Sequence, residues 1–290
     1  MKTIIATVGA VMTAVTLGAQ EADEKSAEVE GQQEETPVFE AGFDLDLYSA
    51  YVWRNAIQND HIVIQPGVWA DFTMFDPFWF GFSVWQNYDL DDCRREDLRR
   101  ALTETDYNVH AGVTAWASED EEMSLEFEIG HDWYENQFVR GEVRGDYAST
   151  RELYLKGTFA NPLVDVYGQM SWMYRDCDSG DKGLHYEVGL NKEVALVEDA
   201  LTLGLDGNVD FGDSDYLCFL HGEVGPNFDK PRSGVGGMTL MAYLTWDIAD
   251  WVAVKGTFAW TSILDNDIRA EYEHKYRDYL WYGVSLNFAF

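Results

Sequence analysis

Beyond residue 19 this chain has no run approaching the roughly 18 consecutive apolar residues that a membrane helix needs. From Phe43 to Phe290, however, apolar and polar side chains alternate with a period of two. That combination narrows the fold sharply, because alternation makes strands with two unlike faces, whereas a helix would repeat near 3.6. Phe43, Leu45 and Leu47 alternate with Asp44, Asp46 and Tyr48, and Phe78, Phe80, Phe82 and Val84 with Trp79, Gly81, Ser83 and Trp85. Leu125, Phe127 and Ile129 alternate with Glu126, Glu128 and Gly130, and Leu201, Leu203, Leu205, Val209 and Phe211 with Thr202, Gly204, Asp206, Asn208 and Asp210. Such a chain is either a soluble β protein or one that crosses a bilayer as a closed barrel, since hydrocarbon cannot satisfy an open sheet edge.

Three features favour the membrane. The pattern resolves into about twelve strands, an even number as expected for a single-chain bacterial barrel. Connections alternate in length: 75–77, 117–122, 161–162, 196–200 and 248–250 are brief, while 88–102, 133–149, 212–235 and 263–279 are long. Short periplasmic turns and long outer loops form the outer-membrane layout, and a soluble sandwich has no reason to sort loops this way. Acids also alternate with strictly apolar neighbours, and a carboxylate in hydrocarbon costs several kcal/mol, so those acids must point inward. The expected fold is an all-β transmembrane antiparallel up-and-down barrel in the bacterial outer membrane.

Residues 1–19 read as a signal peptide: Met1-Lys2, then an apolar stretch from Thr3 to Leu17, then small residues. Residues 20–40 hold eight acids against Lys25 alone and read as an acidic, disordered periplasmic segment, which leaves 41–290 for the barrel.

The inward parity gathers Asp44, Asp46, Glu126, Glu128, Glu187, Asp206 and Asp210 against few lysines, in a chain of formal net charge −32. A lumen lined by carboxylates raises the local cation concentration, so a passive, cation-preferring pore for small hydrophilic solutes is expected. Trp85, Trp116 and Tyr243 are its expected constriction. The competing expectation is a plugged barrel that anchors surface loops, its acids hydrogen-bonded to Tyr154, Tyr167 and Tyr243. Twelve strands lie between the packed small barrels and the open large ones and do not decide between the two. Tyr51, Trp53, Trp133, Trp246 and Tyr282 fall near strand ends, where interfacial aromatic belts occur.

The last strand has Tyr282, Val284, Leu286, Phe288 and Phe290 at alternating positions and ends in Phe. It resembles the carboxy-terminal signature of bacterial outer-membrane proteins, which implies the barrel-insertion machinery as a partner. Ser49, Tyr51 and Arg54, followed by Asn59-Asp60 and Gln65-Pro66, resemble the opening hairpin of a group of uncharacterised outer-membrane barrels, in which Gly often follows the Arg where Asn55 stands here. The resemblance continues through Phe82 to Leu90 and implies no activity.

Outer-membrane lipid and small solutes are therefore the expected partners, with no cofactor and no metal. Cys93, Cys177 and Cys218 fall in outer loops, where secretion permits two of them to pair. Arg94, Arg95, Arg99 and Arg100 lie among acids in one loop and could grip lipid phosphates bidentately, but the local acids favour a self-paired polar loop. His110 and His185 are the best inward bases, with Ser83, Ser171 and Ser285 as hydroxyls, but no G-x-S-x-G, metal-spaced His pair or phosphate loop is present, so catalysis is not expected. The acidic balance argues against nucleic acid.

Overall fold

The structure, a computed structural model, describes residues 38–75, 77–93, 101–119, 122–136, 148–175, 182–221, 233–271 and 274–290. The signal segment, most of the acidic segment, Cys177 and the four loop arginines lie outside them. Strand β1 (Val38–Tyr48) leads to a short hairpin of β2 (Tyr51–Trp53) and β3 (Ala56–Asn59). Then follow β4 (Val63–Phe75), β5 (Phe78–Asp89), β6 (Leu102–Ala117), β7 (Ser124–Asn136), β8 (Ala148–Ala160) and β9 (Asp165–Arg175). The chain continues through β10 (Gly183–Val197), β11 (Leu201–Gly212), β12 (Gly234–Ala249), β13 (Val252–Ile263) and β14 (Asp278–Ala289). All except β2 and β3 form one closed barrel of twelve antiparallel strands in sequence order, and β1 pairs with β14 to shut it. The barrel begins at Val38 and so includes Glu40, which pairs with Asp71.

Closure leaves no exposed strand edge, and the outer surface is apolar. Phe80, Ile129, Leu155, Val188, Leu205, Leu240, Phe258 and Val284 are all exposed there, Val188 at 52% and Leu205 at 54%. A band of that size is untenable in water and is what acyl chains cover. No helix among the described residues is long and apolar enough to cross a membrane. The strands span the bilayer, and the protein is an outer-membrane β-barrel. Placing a cation in the middle of the band should cost about 2–4 kcal/mol. Val188→Arg is therefore expected to lower the urea midpoint of the bilayer-folded protein, whereas Glu187→Gln, one residue away but inward, should leave it nearly unchanged.

Aromatic rings seat the inner wall. At six strand pairings a ring lies where the Cβ of its glycine register partner would stand: Tyr48 over Gly283, Trp69 over Gly42, Trp79 over Gly112, Tyr154 over Gly130, Tyr167 over Gly189 and Tyr243 over Gly204. A cross-strand ring covering a bare glycine restores the packing the glycine lacks and pins the register.

Bulges near the short turns change which face a residue takes. In β6 the pairing shifts between Thr114 and Trp116, so Trp116 stands opposite Leu125 on the outer face and is 47% exposed. The expectation of Trp116 in the lumen is thereby corrected. One extra residue at the bulge inverts the alternation beyond it.

Candidate functional site

The first outer connection does not project from the barrel. Residues 51–59 fold inward as the β2–β3 hairpin, and Tyr51 and Trp53, expected in the interfacial belt, lie inside instead. Tyr51 is buried with its ring 5.4 Å from Trp85, and Trp53 meets Tyr134 at 5.3 Å and Phe219 at 6.3 Å. The cause is local. Arg54 and Asn55 both have positive φ, 47° and 62°, the combination that a tight two-residue hairpin turn requires. Asn tolerates this region, but Arg does so only when its surroundings hold it there.

Arg54 is held firmly. Its guanidinium donates to both oxygens of Glu152, at 2.9 and 2.5 Å, and reaches the hydroxyls of Tyr216, Tyr134 and Ser171. Glu152 is fully buried. Burial opposes the charge on Arg54, but the adjacent Glu152 carboxylate outweighs it and keeps the guanidinium protonated. Asn55 donates to Asp210 at 2.7 Å and accepts from Thr239, whose hydroxyl lies 2.7 Å from that of Thr261. The Asn55 side chain thus performs a bonding role that a glycine at this position could not. Gly237 makes room for it: a Cβ there would stand 2.7 Å from that of Asn55. Through these contacts the hairpin tip reaches β7, β8, β9, β11 and β12.

A second element closes the same end. In the connection after β5 lies α1 (Leu90–Cys93), and in the connection after β11 lies α2 (Ser214–His221). Helix α2 turns Tyr216, Leu217 and Leu220 inward, and Tyr216 and Leu220 pack with Ala56 and Met173. Leu217 packs with Ile263 and with Ile268 of α3 (Asn266–Glu271), the helix before α4 (His274–Arg277). Burial pushes the His221 imidazole down to about 4, against the pull of Asp265. With α2 released, His221 would titrate near its ordinary 6.5, so the docked helix is favoured fully above that value and loses up to about 3 kcal/mol as pH falls towards 4. Hydrogen exchange in 214–221 is expected to speed up on acidification, and His221→Gln should flatten that response.

Buried polar groups gather towards the outer end of the lumen. Gln65, Asn87, Glu104, Thr150, Glu152, Ser171, His185, Asp210, Thr239 and Thr261, all towards the outer ends of their strands, are buried. Asp44, Asp46, Asp71, Glu126, Glu128, Glu187 and Asp206 also point inward and stay partly exposed; Asp71, Glu126, Glu128 and Asp206 lie in the periplasmic halves of their strands, Asp44 near the middle of β1, and Asp46 and Glu187 nearer the outer ends of β1 and β10. Several take hydrogen bonds from the wall: Asn287 to Asp44 at 2.6 Å, Tyr154 to Glu128 at 2.5 Å and Tyr167 to Glu187 at 2.9 Å. His110 lies 3.0 Å from Asp71. Lys156 and Lys255 sit over the rings of Tyr167 and Tyr243. Most of the buried polar groups thus gather in the outer half, while in the periplasmic half most inward acids stay partly exposed and Thr257 and Ser285 are buried.

The expected constriction is not assembled. Trp85 belongs to the outer seal through Tyr51, Trp116 faces lipid, and Tyr243 lies in the periplasmic half, donating to Glu193 at 2.7 Å. Asp210 is inward but belongs to the seal. Tyr282, Val284, Leu286 and Phe290 all face outward on β14 and at its end. Cys218 lies on α2 and Cys93 ends α1. Ser171 is the register partner of His185, but neither ring nitrogen of His185 has a hydrogen-bond partner, so the two form no nucleophile–base contact. Sequence reasoning missed Glu152 and Arg54 as a pair. Parity alone would place Glu152 inward, beside Tyr154 and Lys156.

No protein-family model matches this sequence, and no curated protein matches it. Among solved structures it is similar to an outer-membrane channel of Pseudomonas putida F1, with 7% identity, 91% of this chain and 100% of that one covered, and a TM-score of 0.49. It is similar to the KdgM porin with 9% identity, 87% and 99% coverage and a TM-score of 0.45. It is also similar to outer membrane phospholipase A from Escherichia coli with 16% identity, 90% and 94% coverage and a TM-score of 0.44. Barrel architecture is what they share with it.

Proposed function

We propose that this protein is a gated, cation-preferring outer-membrane pore for small hydrophilic solutes, held closed from outside by the β2–β3 hairpin and α2. The observation that carries this reading is the partial exposure of Asp71, Glu126, Glu128 and Asp206 beneath a cluster of buried polar groups at the outer end. Inward carboxylates that stay partly exposed mean water in the periplasmic half, and a vestibule so lined concentrates cations. A barrel meant only as an anchor has no need of it. The hairpin hangs from the wall by polar contacts that can be broken and remade, as a gate requires. The outward residues of β14 suit recognition by the barrel-insertion machinery.

The plug itself favours a second reading, a closed barrel that presents surface loops. Planar-bilayer recording separates the two. Wild type is expected to be mostly silent with rare openings, and a variant with 51–59 replaced by a short Gly-Ser link is expected to give ohmic steps with a cation-selective reversal potential. A folded link variant that stays silent would support the anchor.

A further inference from the structure

On the outer surface, the upper edge of the apolar band carries a polar cluster. Register places Tyr107, Trp133, Arg151 and Arg175 in one row across β6, β7, β8 and β9, near the outer strand ends. Arg151 shares its parity with Leu153 and Leu155, both exposed to lipid, and its guanidinium lies over the Trp133 ring at 5.3 Å. His131, on the same face, bonds the Tyr174 hydroxyl at 2.6 Å and packs edge-on against Trp133 at 4.5 Å. Tyr174 in turn meets Trp172 at 5.7 Å, beside a bulge between Met173 and Arg175.

Among the described residues no carboxylate or carbonyl takes a hydrogen bond from Arg151, and its Nε is buried without a partner. A buried guanidinium N–H without an acceptor costs free energy, and an anion beside Arg151 would satisfy it. An arginine so placed is also exceptional in this chain, which has 20 basic residues against 52 acidic ones.

We infer that this cluster binds the phosphate of an anionic lipid headgroup in the outer leaflet. Arg151 supplies the charge-assisted hydrogen bonds, Tyr174 and His131 border the site, and Leu153, Leu155, Ile129 and Trp172 receive the acyl chains below. Guanidinium and phosphate match in geometry as well as charge. The height of the row, at the top of the apolar band, is that of the headgroups.

The test uses the full-length protein in nanodiscs of phosphatidylcholine with and without lipid A, extracted and weighed by native mass spectrometry. Wild type is expected to retain lipid A in clear preference to phosphatidylcholine. Arg151→Gln should weaken that retention roughly tenfold and Tyr174→Phe less, with both variants keeping the heat-modifiable gel shift of a folded barrel. Added inorganic phosphate should not displace the lipid. Equal retention of the two lipids, wild-type retention by Arg151→Gln, or ready displacement by inorganic phosphate would each overturn the proposal.

Discussion

Arg54→Ala is expected to convert a barrel that is nearly always shut into one that opens often. The substitution leaves Glu152 fully buried with its counter-charge gone, and breaking one side of a buried pair costs about 3–5 kcal/mol. Spent on hairpin docking, that is a shift of roughly a hundredfold or more in the ratio of docked to released hairpin. Single-channel open probability measures it directly. Glu152→Gln alone should open the barrel too, because it strands the guanidinium. The double variant should be milder than the sum of the singles, since neither charge is then left alone. Arg54→Lys should not rescue, because an ammonium cannot grip both carboxylate oxygens while reaching Tyr216.

The second large effect concerns selectivity. In the hairpin-shortened background, converting Glu126, Glu128 and Asp206 to amides removes three of the inward carboxylates of the periplasmic half. Cation preference, read as a reversal potential under a salt gradient, should fall several-fold towards unity. Conductance should change far less, because the amides keep the volume and the Glu128 amide can still accept from Tyr154. High salt should erase the difference by screening.

The barrel was legible in the sequence because a membrane strand must alternate, and little else produces that pattern over so long a stretch. The inward acids followed from the same constraint, and loop parity set which end faces out. Legibility failed where a single extra residue resets parity, as at the bulge that turns Trp116 to lipid. It failed again at the hairpin, whose aromatic residues fit an interfacial belt as well as an interior seal. Tyr51 and Trp53 carry no local mark of the difference. The contacts that draw them in, Arg54 to Glu152 and Asn55 to Asp210, lie 98 and 155 residues apart in sequence. Asn55 held the one local clue: a residue suited to positive φ, placed after an arginine with no neighbouring acid.

In the proposed pore a water-filled periplasmic vestibule is sealed from outside by the folded-in hairpin, and cysteine accessibility reports on both. With the native cysteines replaced by serine, Asp206→Cys should react with a membrane-impermeant maleimide applied to the periplasmic side of oriented proteoliposomes and stay unmodified when the reagent is outside. Shortening the hairpin should admit the reagent from outside as well. Labelling from neither side, or from both sides with the hairpin intact, would contradict the account.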